Sequence, residues 1–151
     1  MTASSRGLLM RCPDAVDRCV VCGPRHPTGL HVKFRRAGAR VTASFVPRRA
    51  HQGFHGLLSG GLLAAIFDCL TYRVVLLEGV VAAVTARIEV EYRKPIPLGR
   101  RLTFEASLER RRGRVFEIAA RARLGDDVAG EARAIYVEVP ADRLPGRRAT
   151  S

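Results

Sequence analysis

The stretch from Gly60 to Leu77 constrains this chain more than any other. It has helix length and is nearly all apolar, with Asp68 and Arg73 its only charged residues. Ser59 offers an N-cap and Gly79 a stop. A helix that is apolar on every face must be buried, so the rest of the chain has to wrap around it. The longest uninterrupted apolar run, Gly60 to Phe67, ends at Asp68 and falls short of a membrane span. No membrane association is expected.

The flanking segments read as strands. Leu30 to Arg35 alternates apolar with polar or basic residues, and Val41 to Val46 follows a turn around Gly38, which together predict a hairpin. Beyond the helix, Thr85 to Arg93 alternates strictly. Ala86, Ile88, Val90 and Tyr92 fall on one face, and Arg87, Glu89, Glu91 and Arg93 on the other. Pro95 and Pro97 end that strand, because proline cannot donate to a ladder. Leu102 to Leu108, Val115 to Leu124 and Val128 to Val139 complete the pattern, separated by turns at Gly113 and Gly125. The order β-β-α-β-β-β-β predicts an α+β fold: one long central helix wrapped by a curved antiparallel sheet of about five to six strands. Residues 1–25 read as an irregular N-terminal segment, 26–139 as the domain, and 140–151 as a flexible tail.

Composition narrows the partners. The 151 residues suit one domain, and 47% hydrophobic with 26% charged residues is a globular balance. The net charge of +12 favours an anionic partner, and all but Lys33 and Lys94 of the 26 basic residues are arginine, the better bidentate phosphate ligand. Nucleic acid is not expected, since aromatics are 6%, tryptophan is absent and the basic run Arg110 to Arg114 holds no aromatic residue. That run reads as a solvated hairpin tip. The first residues lack a secretory pattern, so a cytoplasmic location with reduced cysteines is expected. Cys12, Cys19, Cys22, His26 and His31 raise the question of zinc, but only Cys19-x-x-Cys22 has ligand spacing, so no metal and no cofactor are expected. Cys69, among apolar neighbours, reads as a buried structural thiol.

Two features carry chemistry. Asp68 is a carboxylate in mid-helix between apolar residues, where a charge needs a partner. It either reaches solvent or a subunit seam and is satisfied there, or it works as a base. Gly60 and Gly61 open the helix and expose backbone N–H groups at its positive end, a geometry that binds an anion or polarises a carbonyl. Asp68 lies roughly 10 Å along the axis from Gly61 at 1.5 Å per residue. One helix therefore cannot bring both to the same atom, whereas two antiparallel copies can.

Four stretches are similar, in order and spacing, to the hotdog-fold acyl-CoA thioesterases of the phenylacetate-pathway and 4-hydroxybenzoyl-CoA types. They are Cys19 to Gly23 with Pro27 to Leu30, His51 to Gly61, Asp68-Cys69, and Tyr92 to Gly99. The resemblance covers roughly residues 19–138 and implies the helix-in-sheet hotdog fold, dimers or dimers of dimers, and hydrolysis of an acyl-CoA or acyl-carrier thioester. It assigns Asp68 as general base or nucleophile, the Gly61 N–H of a partner subunit as the group polarising the carbonyl, and Thr85 as the residue holding water or orienting Asp68. Ser59 stands where the family usually has histidine; it can cap the helix and assist with one hydrogen bond but cannot act as an imidazole, so either the histidine role is dispensable, or His51 or His55 substitutes, or hydrolysis is weak. The resemblance also places Gly60, His55, Phe54, Arg93, Lys94 and Pro95 around the substrate, with Leu62 and Ile66 lining the acyl pocket. The alternative is a non-catalytic acyl-CoA-binding hotdog protein.

Overall fold

The computed structural model describes residues 7–144. Residues 145–151 of the tail expected to fray, and 1–6 of the N-terminal segment, lie outside the described residues. The main elements are β1 (Leu8–Leu9), β2 (Phe34–Ala37), β3 (Arg40–Phe45), α1 (Gly60–Leu77), β4 (Ala83–Tyr92), β5 (Leu102–Arg112), β6 (Val115–Leu124) and β7 (Asp127–Glu138).

Helix α1 has the bounds its composition implies. After Glu78 the chain reverses at Gly79, whose φ of +79° suits a residue without Cβ. Ser59 occupies the N-cap position, but its hydroxyl makes no capping bond. Its carbonyl instead accepts the N–H groups of Leu62 (3.1 Å) and Leu63 (3.2 Å).

Seven strands, not five to six, form one antiparallel sheet in the order β1-β2-β3-β5-β6-β7-β4. The extra strand is the exposed pair Leu8–Leu9, too short to show a period. The first hairpin is also displaced from its expected place. Leu30 to Lys33 is not strand, because Leu30 N–H bonds Val20 O (2.8 Å) and Val32 N–H bonds Val21 O (2.9 Å), with His31 between them at φ +52°. The alternating tetrapeptide is thus taken by the N-terminal loop. That loop buries Val21 and Cys22 in the core.

The sheet packs its inner face against α1. Leu63, Ile66, Phe67, Leu70, Val74 and Val75 meet Phe34, Val41, Leu102, Phe104, Phe116 and Ile118 in one apolar cluster. By length and composition α1 could cross a bilayer, which counting uninterrupted apolar runs does not reveal; here half of it is buried within the protein. Gly130 of β7 leaves room for this packing. A Cβ there would stand 3.2 Å from Leu63 Cδ2 and 3.3 Å from Glu91 O.

Phe67 is fully buried and meets Phe104 edge-on, with ring centroids 5.7 Å apart. Phe67→Ala is expected to lower unfolding stability by roughly 3–5 kcal/mol, read from urea melts, since both the transferred surface and the cavity count.

Candidate active site

Asp68 sits where the sheet stops wrapping the helix. Strand β4 is an edge of the sheet, and its register with β7 sets Thr85 opposite Tyr136. Both hydroxyls donate to Asp68 Oδ1, Thr85 Oγ1 at 2.8 Å and Tyr136 OH at 2.8 Å. Tyr136 OH also lies 2.5 Å from Asp68 O and 3.2 Å from Thr71 Oγ1. Thr71 Oγ1 in turn lies within bonding distance of the carbonyls of Phe67 (2.9 Å) and Asp68 (3.0 Å). Among the described residues the mid-helix carboxylate is satisfied by two hydroxyls and not by a cation.

A β-bulge makes this possible. The register slips between Thr85 and Arg87, leaving Ala86 as the extra residue. Strict alternation from Ile88 would turn Thr85 outward with the charged residues. The bulge resets the phase, so Thr85 reaches Asp68 while Ile88 and Val90 remain half-buried against the core. The expected face of Ala86, Ile88, Val90 and Tyr92 is therefore broken at Ala86, which is exposed; Tyr92, though also exposed, stays on the helix side.

Burial pushes the Tyr136 phenol up, and the charge of Asp68 adds to the shift. The ring keeps its proton and remains a donor. With Oδ1 occupied, Asp68 Oδ2 makes no hydrogen bond among the described residues. Asp68, Thr85 and Tyr136 line a cavity of about 600 Å³, whose other walls include Val16, Val20, Ala65, Tyr72 and Val84. A carboxylate with one oxygen anchored and the other uncommitted can take a proton from water or attack a carbonyl.

The other expected residues lie elsewhere. Phe54, Gly60, Arg93, Lys94 and Pro95 share a second groove of about 350 Å³ at the start of α1. Tyr92 OH donates to Gly60 O (2.8 Å) and closes its floor. Gly61 is exposed, and no acceptor meets its N–H or that of Gly60 among the described residues. Arg93 is held by Glu91 and by Glu131 (3.0 Å), and Lys94 by Asp127 (3.2 Å). The bonds from Arg93 hold the Glu131 carboxyl below its usual range. His55 is exposed and outside the lining of the groove.

Two expectations need correction. Ile66 is fully buried in the core and lines neither cavity. Leu62 is half-buried against the core. His51 cannot replace a catalytic imidazole. Its ring packs 5.1 Å from Phe45, its Nδ1 accepts Arg48 N–H (2.9 Å), and burial with the neighbouring Arg48 holds it below the usual imidazole range. Tyr136 is the residue sequence reasoning missed. Its signal was a phenol in an apolar strand, since a buried Tyr O–H needs a partner.

Comparisons with known proteins bear on the family and the fold. The thioesterase superfamily profile matches residues 55–131, from the loop before α1 into β7. Acyl-coenzyme A thioesterase THEM4 of Rattus norvegicus is 26% identical over 112 residues, which is 73% of this chain and 48% of that protein. The chain thus spans about half the length of the THEM4 relatives it matches. A solved thioesterase superfamily protein superposes with a TM-score of 0.75 at 24% identity, over 85% of this chain and 70% of its own. A phenylacetic acid degradation-related protein of Ralstonia eutropha JMP134 gives 0.65 at 22% identity, over 72% and 85%. The chain belongs to the thioesterase superfamily and has its hotdog architecture.

Tyr136→Phe keeps the ring and removes the donor from Asp68. It is expected to cost roughly 1–3 kcal/mol of stability, measured by thermal or urea melts, because a charged acceptor loses its bond. Thr85→Val, at an exposed position, should cost less in the same assay.

Proposed function

We propose that this protein hydrolyses an acyl-CoA or acyl-carrier thioester to the free acid and thiol, with Asp68 as general base or nucleophile. The observation that carries the reading is the fixed carboxylate: Oδ1 clamped by Thr85 and Tyr136, Oδ2 uncommitted, at a cavity wide enough for an acyl group. Superfamily membership and the THEM4 relatives favour acyl-CoA as the substrate.

The reaction needs a donor for the carbonyl oxygen, and Asp68's own helix start is too far away. A homodimer supplies one. Thr85 near one end of β4 bonds Asp68, and Tyr92 at the other end bonds Gly60. Helix and strand thus run antiparallel along the edge. If two β4 edges pair antiparallel about a dyad near Ile88 and Glu89, the Asp68 end of one protomer faces the Gly60-Gly61 end of the other. The partner's Gly61 N–H then polarises the carbonyl while Asp68 attacks it or takes the proton of an attacking water. Thr85 and Tyr136 hold the carboxylate in place, and Ser59, whose hydroxyl makes no capping bond, adds one donor.

The groove of Phe54, Arg93, Lys94 and Pro95 then takes part of the nucleotide. Its ion pairs are exposed and individually weak, so phosphates can compete for Arg93 and Lys94.

Thiol release measured with DTNB over a panel of acyl-CoAs tests the chemistry. Asp68→Asn should lower kcat about 100-fold or more with little change in KM, the size expected for a lost general base. Unchanged turnover would remove Asp68 from the mechanism, and saturable acyl-CoA binding without turnover in the wild type would indicate a binding protein. Subunit mixing tests the composite site. Asp68→Asn and Gly61→Pro should each be inactive alone, yet refolding them together at equal amounts should restore about a quarter of wild-type activity, since about half the dimers are mixed and each holds one intact site. No recovery from the mixture would place both groups in one chain.

A further inference from the structure

The fold brings together three thiols that lie far apart in the sequence. Cys19 and Cys22 come from the N-terminal loop, Cys69 from the middle of α1, and their sulfurs all lie within 4.8 Å of one another. Cys22 and Cys69 are buried, and Cys19 is half-buried. The sequence displayed one ligand pair; the helix supplies the third.

A buried cation stands beside them. Arg73 is 1% exposed, its guanidinium lies 5.1 Å above the Phe34 ring, and it donates to Arg11 O at 3.0 Å. Its Nε has no hydrogen-bond partner, and no carboxylate pairs with it among the described residues. The ionisable groups around it include Cys22, Cys69, Cys12 and Tyr72, none of them a carboxylate. A guanidinium buried without a counter-anion is costly, so this pocket calls for negative charge on sulfur. Val21 N–H points at the Cys19 sulfur from 3.4 Å, a donor that favours negative charge there.

We propose that Cys19, Cys22 and Cys69 form a thiolate site for a thiophilic divalent cation, Zn²⁺. Zinc at about 2.3 Å from each sulfur needs sulfur–sulfur separations of about 3.8 Å, within reach of side-chain rotation from the observed spacing. Binding sends the protons remaining on the thiols to solvent. Three thiolates and one divalent cation leave a single negative charge, which the single positive charge of Arg73 offsets. All three cysteines also line the Asp68 cavity, so a fourth coordination position opens there to water. The metal would pin the N-terminal loop to α1 and fix one wall of that cavity.

Titration of the reduced full-length chain with Co²⁺, followed by Zn²⁺, tests this. The expected result is a thiolate-to-cobalt charge-transfer band saturating at about one equivalent and bleached by Zn²⁺. The band should be lost or weakened at least tenfold in Cys69→Ser and Cys19→Ser, and retained in Cys12→Ser, with far-UV circular dichroism confirming that each variant folds. Absence of the band in wild type would overturn the proposal without recourse to any variant. A band unchanged in a folded Cys69→Ser would also overturn it, by placing the metal elsewhere.

Discussion

The burial of α1 governs the rest of this structure. Its apolar residues face all directions, so packing on one side cannot cover them. A single sheet that curls around the helix does, and the fully buried Ile66, Phe67, Leu70 and Val75 mark where it succeeds. The wrap must end somewhere, and it ends at β4. There the helix carries Asp68 and Thr71, and the sheet answers with Thr85 and Tyr136. The polar cluster is not an accident within the core. It occupies the seam where the long edge strand β4 meets a face of the helix left over.

That seam explains what could be read from the chain and what could not. The bounds of α1, the strand order after it and Asp68 as the anomalous residue are legible because they are local: apolar period, turn residues, a charge out of place. Residues with long-range partners were hidden. Tyr136 acts on Asp68 across a separation of 68 residues, and nothing in its own strand says so. Thr85 was placed by family likeness, while its alternation pointed the wrong way, because one bulged residue inverts the phase. Leu30 to Lys33 had strand periodicity but lost its backbone donors to Val20 and Val21. Arg73, one of the two charged residues of the apolar helix, is fully buried, which its own sequence neighbours do not announce.

Charge is distributed with similar locality. A net charge of +12 suggests broad basic surfaces, yet the outer face of the sheet is laced with opposite charges: Arg40 with Glu105, Arg121 with Glu131, Arg133 with Glu109. Even within the basic turn, Arg111 lies 4.6 Å over the Phe116 ring and 3.9 Å from Glu78. Exposed pairs of this kind contribute little stability each. Their effect is to keep the open face hydrated, so it makes a poor apolar interface.

The edge is different in character. Strand β4 presents unpaired backbone groups along its length, with Val84 41% and Tyr92 56% exposed at its two ends. An edge of ten residues left bare is a template for another strand, and proteins ordinarily cover, bend or charge such edges. Here the bulge at Ala86 bends one end, and Arg87, Glu89 and Glu91 carry charge of both signs along the middle. Mixed charge on an edge opposes pairing with arbitrary strands but suits a dyad-related copy, in which Arg87 of one protomer can meet Glu89 or Glu91 of the other. Under the proposed reading, the constraint that buries the helix also selects the partner. The sheet leaves the long β4 edge free, Thr85 on that edge holds the carboxylate, and the edge's self-complementary charges favour the copy whose helix start completes the site.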